Sequence, residues 1–457
     1  MKSKFSLLYL QGNKCFYIGF FFLCCMVVVK EMPRVDISTQ PSNFGKFVDR
    51  AFRDVKPVIV SGFDPELDRT ARALMDDFVN FSELPDDNKR EYCYPKLAGQ
   101  FGFTPQDTEQ SGYAGGKDSA GGKLQEHREH FMIGSQLPEG HPLLDICPPF
   151  IYFDAKNAVG FPFPDMVTNG NRLVELVEDA RMRMYAGLEQ ARGLPPGSIA
   201  FIVPYGTTVV RLHHYPGIRG DIVKEYEVNG VKAIDMLLPS GELKKGLVYA
   251  ADHTDIDCTA WLLRANKPGF AQRDKTGNVE RFTAGKDYEG SAVVNVGDYG
   301  KFMSNPDWTL GAAPFGTVQD GGYGSGVHWV EINTETMQDP RFSIVAFGHN
   351  RPTVVVCDKI DRIVRPNIAS VVRRVIPEVD RRGVRESEAL YARLAEIGYL
   401  GSTEAERLEN LAGMLEALRP LPSDREVVKE ILGWERTQPE DSPYKGRLGQ
   451  FYERRNT

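Results

Sequence analysis

Between residues 199 and 356 the chain breaks into short β-rich runs separated by turns: Ile199–Val203, Thr208–Leu212, Lys232–Leu238, Thr259–Leu263, Ala292–Val296, Val327–Ile332 and Phe342–Phe347. Each run is too short for a stable helix, and their close spacing suits a sandwich or barrel. The flanks read differently. Residues 66–82 and 171–192 carry helical periodicity, the second through Leu173, Val177, Ala180, Met184 and Leu188, and Pro195-Pro196-Gly197 stops it. Near the start, Phe44, Phe47, Val48, Ala51 and Phe52 mark one side of an amphipathic helix. Glycines and prolines across 95–122 predict a mobile loop. Beyond 357 the pattern is helical again, with capping boxes expected at Thr403/Glu406 and Ser423/Glu426 and a loose polar tail over the last twenty residues. The expected division is therefore 1–32 as an apolar leader, 33–198 as an N-terminal α/β region ending in a long helix, 199–356 as a β domain, and 357–457 as a helical extension.

Hydrophobic residues at 42% provide for a substantial core, and a formal net charge of −7 argues against a nucleic-acid partner. None of the seven cysteines forms a CxxC pair, and their irregular spacing reads as free thiols in a reducing, cytoplasmic setting. Lys2, Lys4 and Lys14 precede an uncharged run from Cys15 to Val29 that is shorter than the ~20 residues needed to span a bilayer. It reads either as a signal or anchor, or as a leader upstream of a true start at Met26 or Met32; the thiol pattern favours the second. Membrane association is expected only under the first.

The chemistry concentrates at His253-Thr254-Asp255. In an extended strand, residues two apart share a face, so this imidazole and this carboxylate can converge on one point. His328, in a second strand-like stretch, supplies a third donor. Two histidines and one carboxylate leave open positions on a metal; that suits Fe(II), and zinc takes the same ligands. Arg341 and Ser343 share a strand face thirteen residues later and fit a carboxylate clamp, against the plainer reading of a surface ion pair.

An ordered run of elements resembles the isopenicillin N synthase-like branch of Fe(II)/2-oxoglutarate oxygenases over roughly residues 33–356. It comprises Pro33-Arg34-Val35-Asp36-Ile37, Phe81-Ser82-Glu83-Leu84-Pro85 with Lys89, Gly102-Phe103-Thr104-Pro105, His130–Gly134, Arg211–Pro216, His253-Thr254-Asp255, Val294–Asp298 with Ser304-Asn305, His328, and Arg341-Phe342-Ser343. The resemblance implies a mainly β fold with flanking helices, built on a double-stranded β-helix, or jelly roll. It implies Fe(II) held by His253, Asp255 and His328, and 2-oxoglutarate as co-substrate with its distal carboxylate on Arg341, Ser343 and Tyr215. It further implies O2 as oxidant and a small-molecule substrate that is hydroxylated or desaturated. A related subclass of oxidases uses iron without 2-oxoglutarate and turns the same Arg-x-Ser onto the substrate's own carboxylate.

Three departures stand out. Trp329 replaces the arginine usual after the third ligand, and the segments 217–250 and 305–326 are longer than in the family, where they are expected to rim the site as loops. The helical region beyond 357 also exceeds the family core. Glu126–His130, which on a helix would set His127 and His130 side by side, is expected to be structural. Of His213 and His214, on opposite faces of one strand, one faces the pocket. Trp261, Trp329 and Phe347 are expected in the core. The glycine-rich 321–326 lacks the lysine and the helix of a phosphate loop.

Overall fold

The computed structural model describes residues 34–94, 102–106, 124–147, 160–228, 230–255, 257–281, 290–304, 322–334, 337–354, 403, 405–406 and 422–453. The leader, nearly all of the glycine-rich 95–122 stretch, most of 305–326, and residues 355–402 lie outside them. Among the described residues no helix is long and apolar enough to cross a membrane.

Among the described residues, sixteen strands form three sheets. The major sheet has the order β1 (Arg34–Asp36), β2 (Val58–Ser61), β14 (Ser291–Val296), β11 (Thr259–Ala265), β16 (Arg341–Gly348), β6 (Val209–Tyr215), β5 (Glu129–Gly134) and β3 (Gly102–Thr104). The minor sheet runs β10 (Ala250–His253), β15 (His328–Val330), β12 (Phe270–Arg273) and β13 (Val279–Arg281). From β10 to β16 the chain alternates between these two sheets, with only the β12–β13 hairpin staying in one. The protein is thus mainly β, with mixed sheets and flanking helices.

Strand alternation sorts the major sheet's side chains into two environments. Val210, Leu212, Trp261, Leu263, Ile344 and Ala346 face outward into a core shared with three helices, Pro41–Arg53, Pro65–Ser82 and Pro164–Ala191. Their neighbours Arg211, His213, Ala260, Leu262, Ser343 and Val345 face inward and line a cavity between the sheets. The long helix packs so closely on the first that a Cβ at Gly45 would fall 2.0 Å from the Gly187 carbonyl oxygen. Phe44, Val48, Ala51 and Phe52 are buried as the periodicity predicts, but Phe47 is 63% exposed because it lies on the far side of that contact.

The third sheet corrects the reading of 217–250 as rim loops. Its strands β7 (Asp221–Val228), β8 (Val231–Leu237) and β9 (Leu243–Val248) pair in sequence, with β4 (Gln125–Glu126) on the far edge. Val231, Ala233 and Val248 pack on Ala271 and Trp329 of the minor sheet. Trp329 is fully buried there, donates from Nε1 to Glu331 (3.1 Å) and carries the Arg273 guanidinium over its ring. The added sheet supplies the apolar cover that a tryptophan at this position needs. Truncating a side chain buried in this way costs on the order of 3–5 kcal/mol.

Two further expectations change. Ile199–Val203 is not a strand but contains a 3-10 turn, Ala200–Ile202. The Glu189 carboxylate accepts the amides of Gly197, Ile199 and Ala200 at 2.6–2.7 Å, which curls this apolar run under the helix end. The C-terminal stretch is not loose up to residue 453. The helix Asp424–Thr437, with Ser423 donating to Glu426 at its start, buries Val427, Val428 and Ile431 against Leu137, Leu143 and Tyr205. Residues 438–453 then return over the long helix, where Arg447 pairs with Glu178 at 3.0 Å. The capping contacts between Thr403 and Glu406 are formed in both directions.

Candidate metal centre

β10 and β15 are antiparallel neighbours, and their register sets His253 opposite His328. The two rings lie 4.4 Å apart. Asp255 sits two residues past His253, just beyond the end of β10, and projects its carboxylate between them. His253 Nε2 is 3.7 Å from Oδ1, and His328 Nε2 is 3.3 Å from Oδ2. One ligand atom from each residue falls within 4.8 Å of the other two. No other such group of three occurs among the described residues.

Backbone carbonyls fix both rings. His253 Nδ1 lies 2.7 Å from Ala251 O, and His328 Nδ1 lies 3.0 Å from Gly326 O. A carbonyl only accepts, so each Nδ1 carries its proton and each Nε2 presents a lone pair toward the carboxylate. The loop holding Asp255 is braced in turn. The Asp298 amide donates to Asp255 O (2.7 Å), and Thr254 Oγ1 donates to the Asp298 carboxylate (3.0 Å), which Lys301 also holds. Two imidazole nitrogens and a carboxylate, buried and pre-aimed, are a donor set that fits a divalent metal with open positions.

Arg341, Ser343 and Tyr215 gather at one end of the cavity. β16 pairs with β6 so that Arg341 faces Tyr215 and Ser343 faces His213. Arg341 is not at the surface: it is 2% exposed, and burial pushes its pKa below the ordinary arginine value. Its Nε donates to the carbonyls of Lys267 and Pro268, its Nη1 donates to Ser343 Oγ (3.2 Å), and its guanidinium lies 4.8 Å from the Tyr215 ring centre. The fork is thereby held in place, with the serine hydroxyl beside it, in the arrangement a carboxylate requires.

Of the paired histidines, His213 lines the cavity. Burial first, and the nearby Arg128 and Arg211 next, hold its pKa well below the usual histidine value, so it is neutral. His214 faces the helices, where it stacks on Phe342 and contacts Glu129 at 2.8 Å. Glu126–His130 is extended rather than helical. Glu126 pairs with Arg128 at 2.8 Å and accepts the Ala251 amide, while Glu129 pairs with Lys89. Trp261 is core, whereas Phe347 lines the cavity.

The lining also includes residues that sequence reasoning did not single out for the site: Arg128, Arg211, Asn295, Asp257 and His349. Alternation from His213 reaches Arg211, and the Val294–Asp298 element contains Asn295; for Arg128 and His349 no local pattern points inward. Several of these polar groups are buried with atoms that make no hydrogen bond among the described residues, including His213 Nδ1, Asn295 Oδ1 and His349 Nδ1. Buried polar atoms in that state are completed at low cost by a ligand group or a water.

No protein-family model and no curated protein matches the chain. Solved structures do. A protein assigned to the 2OG-Fe(II) oxygenase family from Caulobacter crescentus aligns over 76% of this chain and 99% of its own, with a TM-score of 0.54 at 18% identity. A full-length Neurospora crassa protein, solved in complex with alpha-KG and thymine, aligns over 80% of this chain and 96% of its own, with a TM-score of 0.50 at 18% identity. The arrangement of sheets around the triad is therefore the fold of 2-oxoglutarate–Fe(II) oxygenase family proteins.

Proposed function

We propose that this protein is a non-haem Fe(II)- and 2-oxoglutarate-dependent oxygenase that hydroxylates or desaturates a small molecule. The observation that carries the reading is the triad: two histidines with carbonyl-tethered Nδ1 atoms and a braced aspartate, aimed at one point in the cavity between the sheets. In this reading residues 199–356 are the oxygenase domain, and the alternation of strands between two sheets supports a double-stranded β-helix. Residues 33–198 form its N-terminal region and 357–457 a C-terminal extension.

His253, Asp255 and His328 would hold the metal, which would supply open positions for the co-substrate and O2. Arg341 and Ser343, with Tyr215 packed beneath the guanidinium, receive the distal carboxylate of 2-oxoglutarate; a buried fork gives that contact both strength and direction. With Fe(II) and O2 bound, oxidation of 2-oxoglutarate to succinate and CO2 supplies the oxidising power for the substrate C–H bond. The protein's own contribution is orientation and exclusion of water. The net negative charge argues against nucleic acid and leaves a small molecule as the partner this reading needs.

The test is anaerobic titration of the Fe(II)-loaded protein with 2-oxoglutarate, followed by visible absorption. A metal-to-ligand charge-transfer band that is lost in Arg341→Ala is the expected result. Iron binding without a band would instead favour an oxidase in which the Arg341 clamp holds the substrate.

A further inference from the structure

The inward pairs along β6 and β16 follow in order: Tyr215 with Arg341, His213 with Ser343, Arg211 with Val345, and Val209 with Phe347. Four residues of strand separate Arg211 from Tyr215, roughly 13 Å along the sheet. Arg341 and Arg211 also lean apart, while the third cavity arginine, Arg128, is paired with Glu126 at 2.8 Å. Arg341 is tied to the carbonyls of Lys267 and Pro268 at its own end. Arg211 lies over the Phe347 ring, 5.1 Å from its centre, at the other.

Elements that carry the triad adjoin both ends. Pro268, which Arg341 grips, just precedes β12, whose Gln272 pairs with His328. On the far side, Cys258, three residues past Asp255, donates its amide to the Gly348 carbonyl. The cavity therefore holds a cation at Arg341, the metal ligands, and a second cation at Arg211. A short dicarboxylate held by Arg341 and the metal does not extend to the second.

His349 joins Arg211 at that far end. Burial, with Arg181 and Arg211, pushes its pKa down to about 3, so it is a neutral imidazole. Its Nδ1 has no hydrogen-bond partner among the described residues. Around them the lining is largely apolar, with Val209, Leu262, Val293 and Val345, and includes the polar Asn295 and Asp257.

We infer that the prime substrate is a small carboxylic acid with an apolar body, whose carboxylate is received by Arg211 beside His349 while the body lies on the valines and Phe347 in front of the metal ligands. This rests on the oxygenase reading for the word substrate, but the anion subsite itself is independent of iron. A guanidinium is the side chain best matched to a carboxylate, and a phenyl ring beneath it keeps the fork in one plane. The cavity lining, largely apolar with a guanidinium beside it, suits a compact acid.

The test compares 3-phenylpropanoate with its uncharged twin 3-phenylpropanamide by calorimetry on the full-length protein, loaded anaerobically with Fe(II) and 2-oxoglutarate and also metal-free. The acid is expected to bind at least about tenfold more tightly than the amide, the scale of one hydrogen bond to a charged group. That preference disappears in Arg211→Met and survives in Arg341→Ala. Val345→Glu, which sets a carboxylate directly opposite Arg211, removes it too, by occupying the guanidinium without deleting it. No preference for the acid in the wild-type protein overturns the proposal, as does a preference that follows Arg341 rather than Arg211. If the Fe(II) and 2-oxoglutarate titration fails while the acid preference stands in the metal-free protein, the oxygenase reading falls and the subsite remains.

Discussion

At the C-terminal dock, the buried Glu435 carboxylate accepts the amides of Leu448 and Gly449 and the Tyr205 hydroxyl, at 2.6, 2.9 and 2.6 Å. Arg351 beside it donates two bonds to Asp424 and two more to the carbonyls of Phe201 and Pro204. The cavity differs from these two matched clusters: His213, Asn295 and His349 each keep a polar atom without a partner among the described residues, a state that His141 Nε2 and Glu178 Oε1 share at the dock. Buried polar groups are costly unless matched. Where the protein matches them itself, the cluster is a fastener; where it leaves them open, the missing partners come from outside. The comparison predicts that substitutions in the cavity change ligand binding with little effect on stability, and that substitutions at the dock do the reverse.

The largest expected effect is on the cavity side. His328→Ala removes one of three metal donors from a strand whose pairing with β10 and β12 depends on backbone bonds, so turnover should vanish while the unfolding midpoint moves little. Activity in that variant, measured as succinate formed with iron supplied, would remove His328 from the ligand set. At the dock, Glu435→Ala strips partners from two buried amides and a hydroxyl, and should cost about 3–5 kcal/mol in chemical denaturation. The folded fraction should still bind metal as the wild type does; a change in metal affinity larger than the change in stability would erase the distinction. Next comes Arg341→Ala, expected to weaken 2-oxoglutarate by about 2–4 kcal/mol because the guanidinium is fully buried. An unchanged affinity would separate the clamp from the co-substrate.

The triad and the Arg341–Ser343 pair were legible in the sequence because they are carried by short-range patterns, whereas Arg128 and His349 of the same lining were not. His253-x-Asp255 and Arg341-x-Ser343 lie two residues apart, and strand alternation converts that spacing into a shared face. His328 needed only a third strand-like stretch. The dock escaped notice because its partners are distant in the chain: Arg447 with Glu178, Glu435 with Tyr205, Arg351 with Asp424. Nothing local in the last twenty residues announces that Leu448 is buried or that its amide is accepted by Glu435. The same holds for Ile199–Val203, whose β-branched run reads as a strand until Glu189, ten residues upstream, captures its amides. Trp329 is the intermediate case. Its departure from the family pattern was visible, but the reason, a sheet folded from 217–250 across the back of β15, depends on long-range pairing.

The smallest predicted effect probes the dock through pH. Glu178 faces Arg447 and Arg181, yet burial outweighs them and raises its pKa from 4.5 to about 6. A carboxyl raised on folding holds its proton in the native state while the unfolded chain has released it. Unfolding between these two values therefore sheds a proton, and stability falls as pH rises from 4.5 to about 6, by about 2 kcal/mol at most, then levels off. The contribution is complete below the lower value and lost above the upper one. Glu178→Gln cannot titrate, so its denaturation midpoint should lack that fall across the same window relative to the wild type. The Arg211-dependent preference for an acid over its amide should be the same in both proteins at pH 7, because Glu178 lies on the helix side of the major sheet and Arg211 on the cavity side. Parallel pH profiles for the two proteins would mean that Arg447 already holds Glu178 ionised, making the dock a closed ion pair rather than a protonated contact.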